Sequence, residues 1–217
     1  MERESDLMKK IFSFMVATVF AMAGSASADI FLNEIHYDNS GGDLNEFVEI
    51  VVAPSMSGVT LSDIVVELYN GSNGETYNTA TLDTFTVGAN VNGFQFYSLA
   101  ISGIQNGAPD GLAISNSSTG TVLEFLSYEG TLTAADGAAV GLTSTDIGVA
   151  EGGGTLATES LQRIGNGSAA SDFTFAGPAA STAGQANAGQ SFAAVPEPSS
   201  IALLGLVGLA GAIRRRK

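Results

Sequence analysis

Between residues 30 and 175 the chain is a succession of short apolar runs with turn residues between them, a pattern that leaves little room for anything but β structure. Ile30–Tyr37, Glu46–Val52, Thr60–Tyr69, Glu75–Val87, Phe94–Ile101, Gly111–Ser115, Thr121–Tyr128 and Leu161–Phe175 are rich in Val, Ile, Thr, Phe and Tyr, and several alternate with period two. Asn70-Gly71, Asn73-Gly74, Asn92-Gly93, Asn106-Gly107 and Thr119-Gly120 stand between them, where Asn and Gly tolerate positive φ. No stretch of this region combines helical periodicity with helix caps. The spacing predicts an all-β domain, a sandwich or barrel. Residues 176–194, rich in Ala, Gly, Ser and Gln, read as a closing segment followed by a flexible tether.

The chain has no cysteine, so disulfides, thiol catalysis, zinc–thiolate sites and iron–sulfur clusters are excluded. The whole chain carries a formal charge of -14, and the imbalance is sharper between residues 29 and 194: eighteen Asp and Glu against one basic residue, Arg163. Gripping a phosphate backbone needs clustered Lys and Arg, so the composition argues against nucleic acid as a partner. It argues equally against docking on an anionic membrane surface. These roughly 165 residues suffice for one domain with its own core.

Both ends carry addresses. Met8-Lys9-Lys10, the apolar stretch Ile11 to Ala23, and Ala26-Ser27-Ala28 follow the order of an export signal, with cleavage expected after Ala28. Residues 1–7 place three acids ahead of the lysines, which suits such a signal poorly and points to Met8 as the translation start. The expected route is the Sec translocon, leaving residues 29–190 as the folded domain. At the other end Pro196-Glu197-Pro198 precedes an apolar run, Ile201 to Ile213, and a basic stop, Arg214-Arg215-Arg216-Lys217. As a helix that run reaches roughly 20 Å against a hydrocarbon core of about 30 Å, which makes it short for a permanent span.

This C-terminal arrangement over residues 191–217 resembles the PEP-CTERM sorting signal of Gram-negative bacteria. The resemblance implies export, transient retention in the inner membrane by a short C-terminal hydrophobic helix, recognition by an exosortase, and cleavage near the motif. The basic cluster Arg214–Lys217 is then the cytoplasmic stop. An ordinary retained tail anchor is the alternative.

The domain itself carries a second resemblance. Leu32-Asn33-Glu34-Ile35-His36-Tyr37-Asp38-Asn39, Glu46-Phe47-Val48-Glu49-Ile50, Pro109 to Ile114, Glu124 to Gly130, Ser160-Leu161-Gln162-Arg163, Asp172 to Phe175 and Gly184 to Asn187 follow the order found in bacterial lamin-tail domains. That resemblance implies an immunoglobulin-like β-sandwich. Bacterial members often precede nuclease domains, for which this chain has no room, so nuclease activity does not carry over.

The residues with chemical potential are few. Asp38, Asn39, Asp43 and Glu46 crowd one Gly-rich loop, and such oxygen-rich loops suit Ca²⁺. Their offsets do not fit an EF-hand, and a solvated turn with side-chain caps explains the same composition. His36, the single histidine, reads as a packed or hydrogen-bonded strand residue. Glu34, Glu46 and Glu49 offer carboxylate pairs of the sort glycosidases use, as any acidic domain does by chance. Arg163 reads as a structural ion pair or a fork across backbone carbonyls. The sequence thus predicts an exported, non-catalytic envelope or matrix protein without a cofactor, contacting exopolysaccharide or envelope proteins. A Ca²⁺-dependent glycan-binding module is the alternative.

Overall fold

The computed structural model describes residues 30–194. Twelve strands run in chain order: β1 Ile30–His36, β2 Phe47–Val52, β3 Ile64–Asn70, β4 Glu75–Thr81, β5 Thr86–Val91, β6 Phe94–Ala100, β7 Asp110–Asn116, β8 Thr121–Tyr128, β9 Thr145–Asp146, β10 Glu159–Gly167, β11 Phe173–Ala180 and β12 Gln190–Phe192. The helical turns among them are three residues long. One sheet has the order β11-β10-β1-β2-β6-β5, with β12 also beside β10, and the second has the order β4-β3-β7-β8-β9. The fold is an all-β sandwich.

The expected strands fall where the alternation placed them, with one shortening and two divisions. Thr60–Tyr69 becomes strand only from Ile64, after a turn over Leu61–Asp63. Glu75–Val87 breaks at a turn over Leu82–Thr84, where Leu82 drops fully into the core. Leu161–Phe175 breaks into an antiparallel pair, β10 and β11, around a turn in which the Asp172 carboxylate accepts the Ser168 and Ala169 N–H groups. Asn92 and Gly93 form the two-residue β5–β6 hairpin at φ 53° and 91°, conformations that Asn tolerates and Gly adopts freely. The segment read as a closing stretch and tether completes β11 and then contributes β12.

Three apolar clusters hold the layers. Between the sheets lie Leu32, Ile35, Tyr37, Val48, Ile50, Ile64, Leu68, Leu112, Ile114 and Leu161 with their neighbours. The outer face of the first sheet carries Phe31, Val51, Phe94, Phe96 and Phe173, and Phe192 of β12 closes over them. The outer face of the second carries Tyr69, Ala113 and Phe125, covered by Leu132, Ala134 and Ala139 from the connection between β8 and β9. Burial from both sides explains why every residue of β1 and β2 is buried and their alternation is lost. Each buried phenylalanine contributes roughly 1.5–3 kcal/mol relative to exposure, so the chain after Thr182 is part of the core.

Both ends of the described domain lie at one pole. Ile30 pairs with Val52, which pairs with Gln95 beside the Asn92-Gly93 turn. Asn92 Nδ2 in turn donates to the Phe192 carbonyl at 2.7 Å. The opposite pole gathers the connections β1–β2, β6–β7 and β9–β10.

Candidate functional site

The loop singled out for oxygen ligands sits at the pole away from the termini, and its Asn39, Asp43 and Glu46 side chains are engaged within the fold. Asn39 Oδ1 accepts the Leu44 N–H at 2.8 Å, while Asn39 Nδ2 donates to the carbonyls of Gly42 (3.0 Å) and Ser40 (3.2 Å). Asp43 accepts from the Asn39 N–H and from Asn106 Nδ2, both at 3.4 Å. Glu46 Oε2 accepts the Gly103 N–H at 2.7 Å, and its Oε1 is buried without a hydrogen-bond partner. Asp38 takes part through its backbone N–H, which Glu151 accepts at 3.0 Å. Among the described residues no group of three or more His, Cys, Asp or Glu side chains gathers as metal ligands do.

His36 is the hub of this pole. Its Nδ1 lies 2.8 Å from Glu151 Oε1 and its Nε2 lies 3.1 Å from the Leu44 carbonyl. Two acceptors face the two ring nitrogens, an arrangement that suits the doubly protonated ring. Burial alone lowers the imidazole pKa, but the hydrogen bond and charge of Glu151, helped by Asn39 and the Leu44 carbonyl, outweigh it and leave the pKa raised. Glu151 Oε2 also accepts the Tyr37 N–H at 2.6 Å, and the Glu151 N–H donates to the Tyr37 hydroxyl at 2.8 Å. Tyr37 stacks on Tyr128 with centroids 3.8 Å apart, locking the two sheets together at this end. Burial, opposed by the hydrogen bond from the Glu151 N–H and reinforced by nearby Glu129, pushes the Tyr37 phenol far up. Glu151 carries no local mark of this partnership, because it stands next to Gly152-Gly153-Gly154 in what reads as plain loop.

Glu34 and Glu49 are directly opposed across β1 and β2, and both are fully buried. Ser160 Oγ donates to Glu34 at 2.6 Å and the Thr182 N–H at 2.8 Å; Asn33 Nδ2 donates to Glu49 at 2.8 Å, and the Gly184 N–H donates to it as well. Burial, opposed by Asn33 and Gly184 and reinforced by the Glu34 charge, pushes the Glu49 carboxyl up to about 8. These acids fasten the Ser181–Asn187 stretch onto the sheet. Arg163 bridges the layers: Nε donates to the Leu32 carbonyl at 2.6 Å, Nη1 to the Ala170 carbonyl at 2.8 Å, and Nη2 to Glu124 of the second sheet. Its guanidinium carbon sits 4.7 Å from the Phe175 ring centroid and 5.3 Å from that of Phe31. The fork expected from the sequence is present, and the ion pair with it.

Beside the His36 hub, the outer face of the first sheet carries a groove of about 580 Å³ between the β1–β2 loop, β6 and the start of β10. Asn45, at φ 62°, forms one wall and is tied to the opposite one by its Nδ2 donating to the Ala157 carbonyl at 2.9 Å.

The expected cleavage position Ala28, the tripeptide Pro196-Glu197-Pro198, the apolar run and the basic cluster Arg214–Lys217 lie outside the described residues. Among the described residues no helix is long and apolar enough to cross a membrane. What the structure defines is an all-β sandwich whose fold runs through Phe192, just ahead of that tail. Residues 194–217 match the PEP-CTERM protein-sorting motif. The motif supports an exported protein, held at the membrane and then processed by an exosortase. No curated protein and no solved structure matches the chain.

Proposed function

We propose that this chain is a non-catalytic, adhesive or structural β-sandwich of the cell envelope or extracellular matrix, delivered through the Sec translocon and released by exosortase cleavage. The observation that carries the reading is the sorting motif itself, which begins at residue 194, directly after the last buried residue of the fold, Phe192. Motif, apolar run and basic stop follow in the order an exosortase substrate requires. The two-sheet architecture is in keeping with the resemblance to lamin-tail domains, whose attached-module role suits a chain that binds rather than transforms. Support for a non-catalytic role comes from the buried acids: Glu34 and Glu49 receive their hydrogen bonds from within the fold, beneath the Ser181–Asn187 stretch.

The test is replacement of Pro196, Glu197 and Pro198 together by alanine, followed by intact-mass measurement in the native host. A longer, membrane-retained species is expected. A mature mass identical to that of the unaltered protein overturns the sorting role.

A further inference from the structure

We propose that the groove beside the His36 hub binds an uncharged glycan chain; this rests on the adhesive reading and names the surface that would do the adhering. The groove is preformed. Asn45 ties the β1–β2 loop to Ala157, the Ser181 N–H donates to the Thr158 carbonyl at 2.9 Å, and the His36–Glu151 pair joins the two loops that frame the site. A ligand would meet walls already held in place.

The lining has the chemistry of a hydroxyl-rich ligand. Thr86, Ser98, Thr158 and Ser181 face the groove, and their hydroxyls make no hydrogen bond to any described residue. The Asn45 carboxamide oxygen is equally uncommitted, although its nitrogen is bound. The buried polar side chains at this pole, by contrast, have internal partners: His36, Asn39, Glu151, Tyr37 and Tyr128 are all engaged within the fold. Donors and acceptors left open around an apolar floor that includes Phe47 suit a sugar, which presents hydroxyls at its edge and C–H groups on its face.

Charge selects the kind of glycan. Arg163 is the sole Lys or Arg among the described residues; it is 6% exposed and paired with Glu124. Every other charge that the described surface presents is a carboxylate, and Glu159 lies in the groove lining. A polyanion meets like charge with nothing to offset it, whereas a neutral chain meets no such repulsion.

The experiment is affinity electrophoresis of the purified full-length chain in EDTA, through gels containing dextran, soluble starch or hydroxyethyl cellulose, with alginate as the polyanion. Retardation by at least one neutral polymer and none by alginate is expected. Ser98→Trp, which fills the groove from β6, should weaken that retardation at least about tenfold, and Thr158→Ala with Ser181→Ala should weaken it severalfold. Each variant's thermal melt should match that of the parent. The proposal is overturned by no retardation in any neutral gel, by retardation in alginate, by binding that appears only when Ca²⁺ is added, or by a folded Ser98→Trp that binds as the parent does. The alanine replacement of the sorting tripeptide should leave retardation unchanged, so failure of the groove and failure of the address are read separately.

Discussion

Arg163 on β10 and Glu124 on β8 pair across the two sheets and between them take both polar backbone atoms of Leu32: Arg163 Nε donates to its carbonyl, and Glu124 Oε2 accepts its N–H at 2.8 Å. β1 pairs with β10 at Glu34 and Ile35, and β12 takes the same flank of β10 from Gly165 onward. The Leu32 groups fall in the interval between them, where none of the described strands meets them on that side. The ion pair therefore completes a sheet as well as joining two.

Arg163→Met should accordingly destabilise the protein by about 3–5 kcal/mol in urea unfolding, the range for breaking a buried pair. Adding Glu124→Leu should not recover the loss, because the Leu32 N–H and carbonyl then remain buried without partners. Full recovery in the double variant would mean that the backbone contacts contribute nothing.

The chain has one histidine, so a single imidazole signal reports the hub. Its NMR titration midpoint should lie above 6.5, and Glu151→Gln should bring it below, since burial then acts without its counterweight. The stabilisation from the protonated pair is fully present below the unfolded value of 6.5 and is lost as pH rises through the folded value. A midpoint at or below 6.5 in the parent protein contradicts this account.

Glu49 gives a second, independent slope of the same sign. With its carboxyl raised from 4.5 to about 8, the folded state keeps a proton that the unfolded state has released throughout that window. Stability should fall with rising pH from about 4.5 to 8, by at most roughly 1.4 kcal/mol per unit from this group. Glu49→Gln should flatten the profile over that range whatever it does to absolute stability, and chemical denaturation at a series of pH values checks it.

Residues 29–194 should fold alone in EDTA, giving a strand-type circular dichroism spectrum and a cooperative melt. Millimolar Ca²⁺ and Mg²⁺ should raise the melting temperature modestly and to similar extents, by relieving repulsion among the carboxylates. Strong stabilisation by Ca²⁺ alone, abolished by Asp38→Ala with Asp43→Ala, would establish a dedicated site in the β1–β2 loop instead.

What was legible in the sequence was what short-range pattern encodes. Thr121–Tyr128 announces β8 through its composition, and Asn92-Gly93 announces its hairpin through the φ angles those residues accept. The role of Arg163 was legible because a lone cation among so many acids has few other uses. The turn at Leu82 was hidden, since a buried leucine looks locally like a continuation of the strand. β9 and β12 were hidden for a different reason: they are two and three residues long, pair in parallel with distant partners, and exist because of what they lie against. Glu151 belongs with them. Its meaning lies in His36 and Tyr37, more than a hundred residues away in the chain.

β12 gives the C-terminal end of the domain a mechanical character. It runs parallel to β10, toward the pole where the tail departs, with Gly165, Asn166 and Gly167 opposite Gln190, Ser191 and Phe192. A pull between the tail and anything gripped at the far pole acts along the strand axes. Under that load the β12 hydrogen bonds share the force in shear rather than parting one after another, and the Phe192 ring must be dragged out from among Phe94, Phe96 and Phe173 before the strand can slide. Tension on the tail while the chain is still held at the membrane therefore falls on β12 before it reaches the core between the sheets.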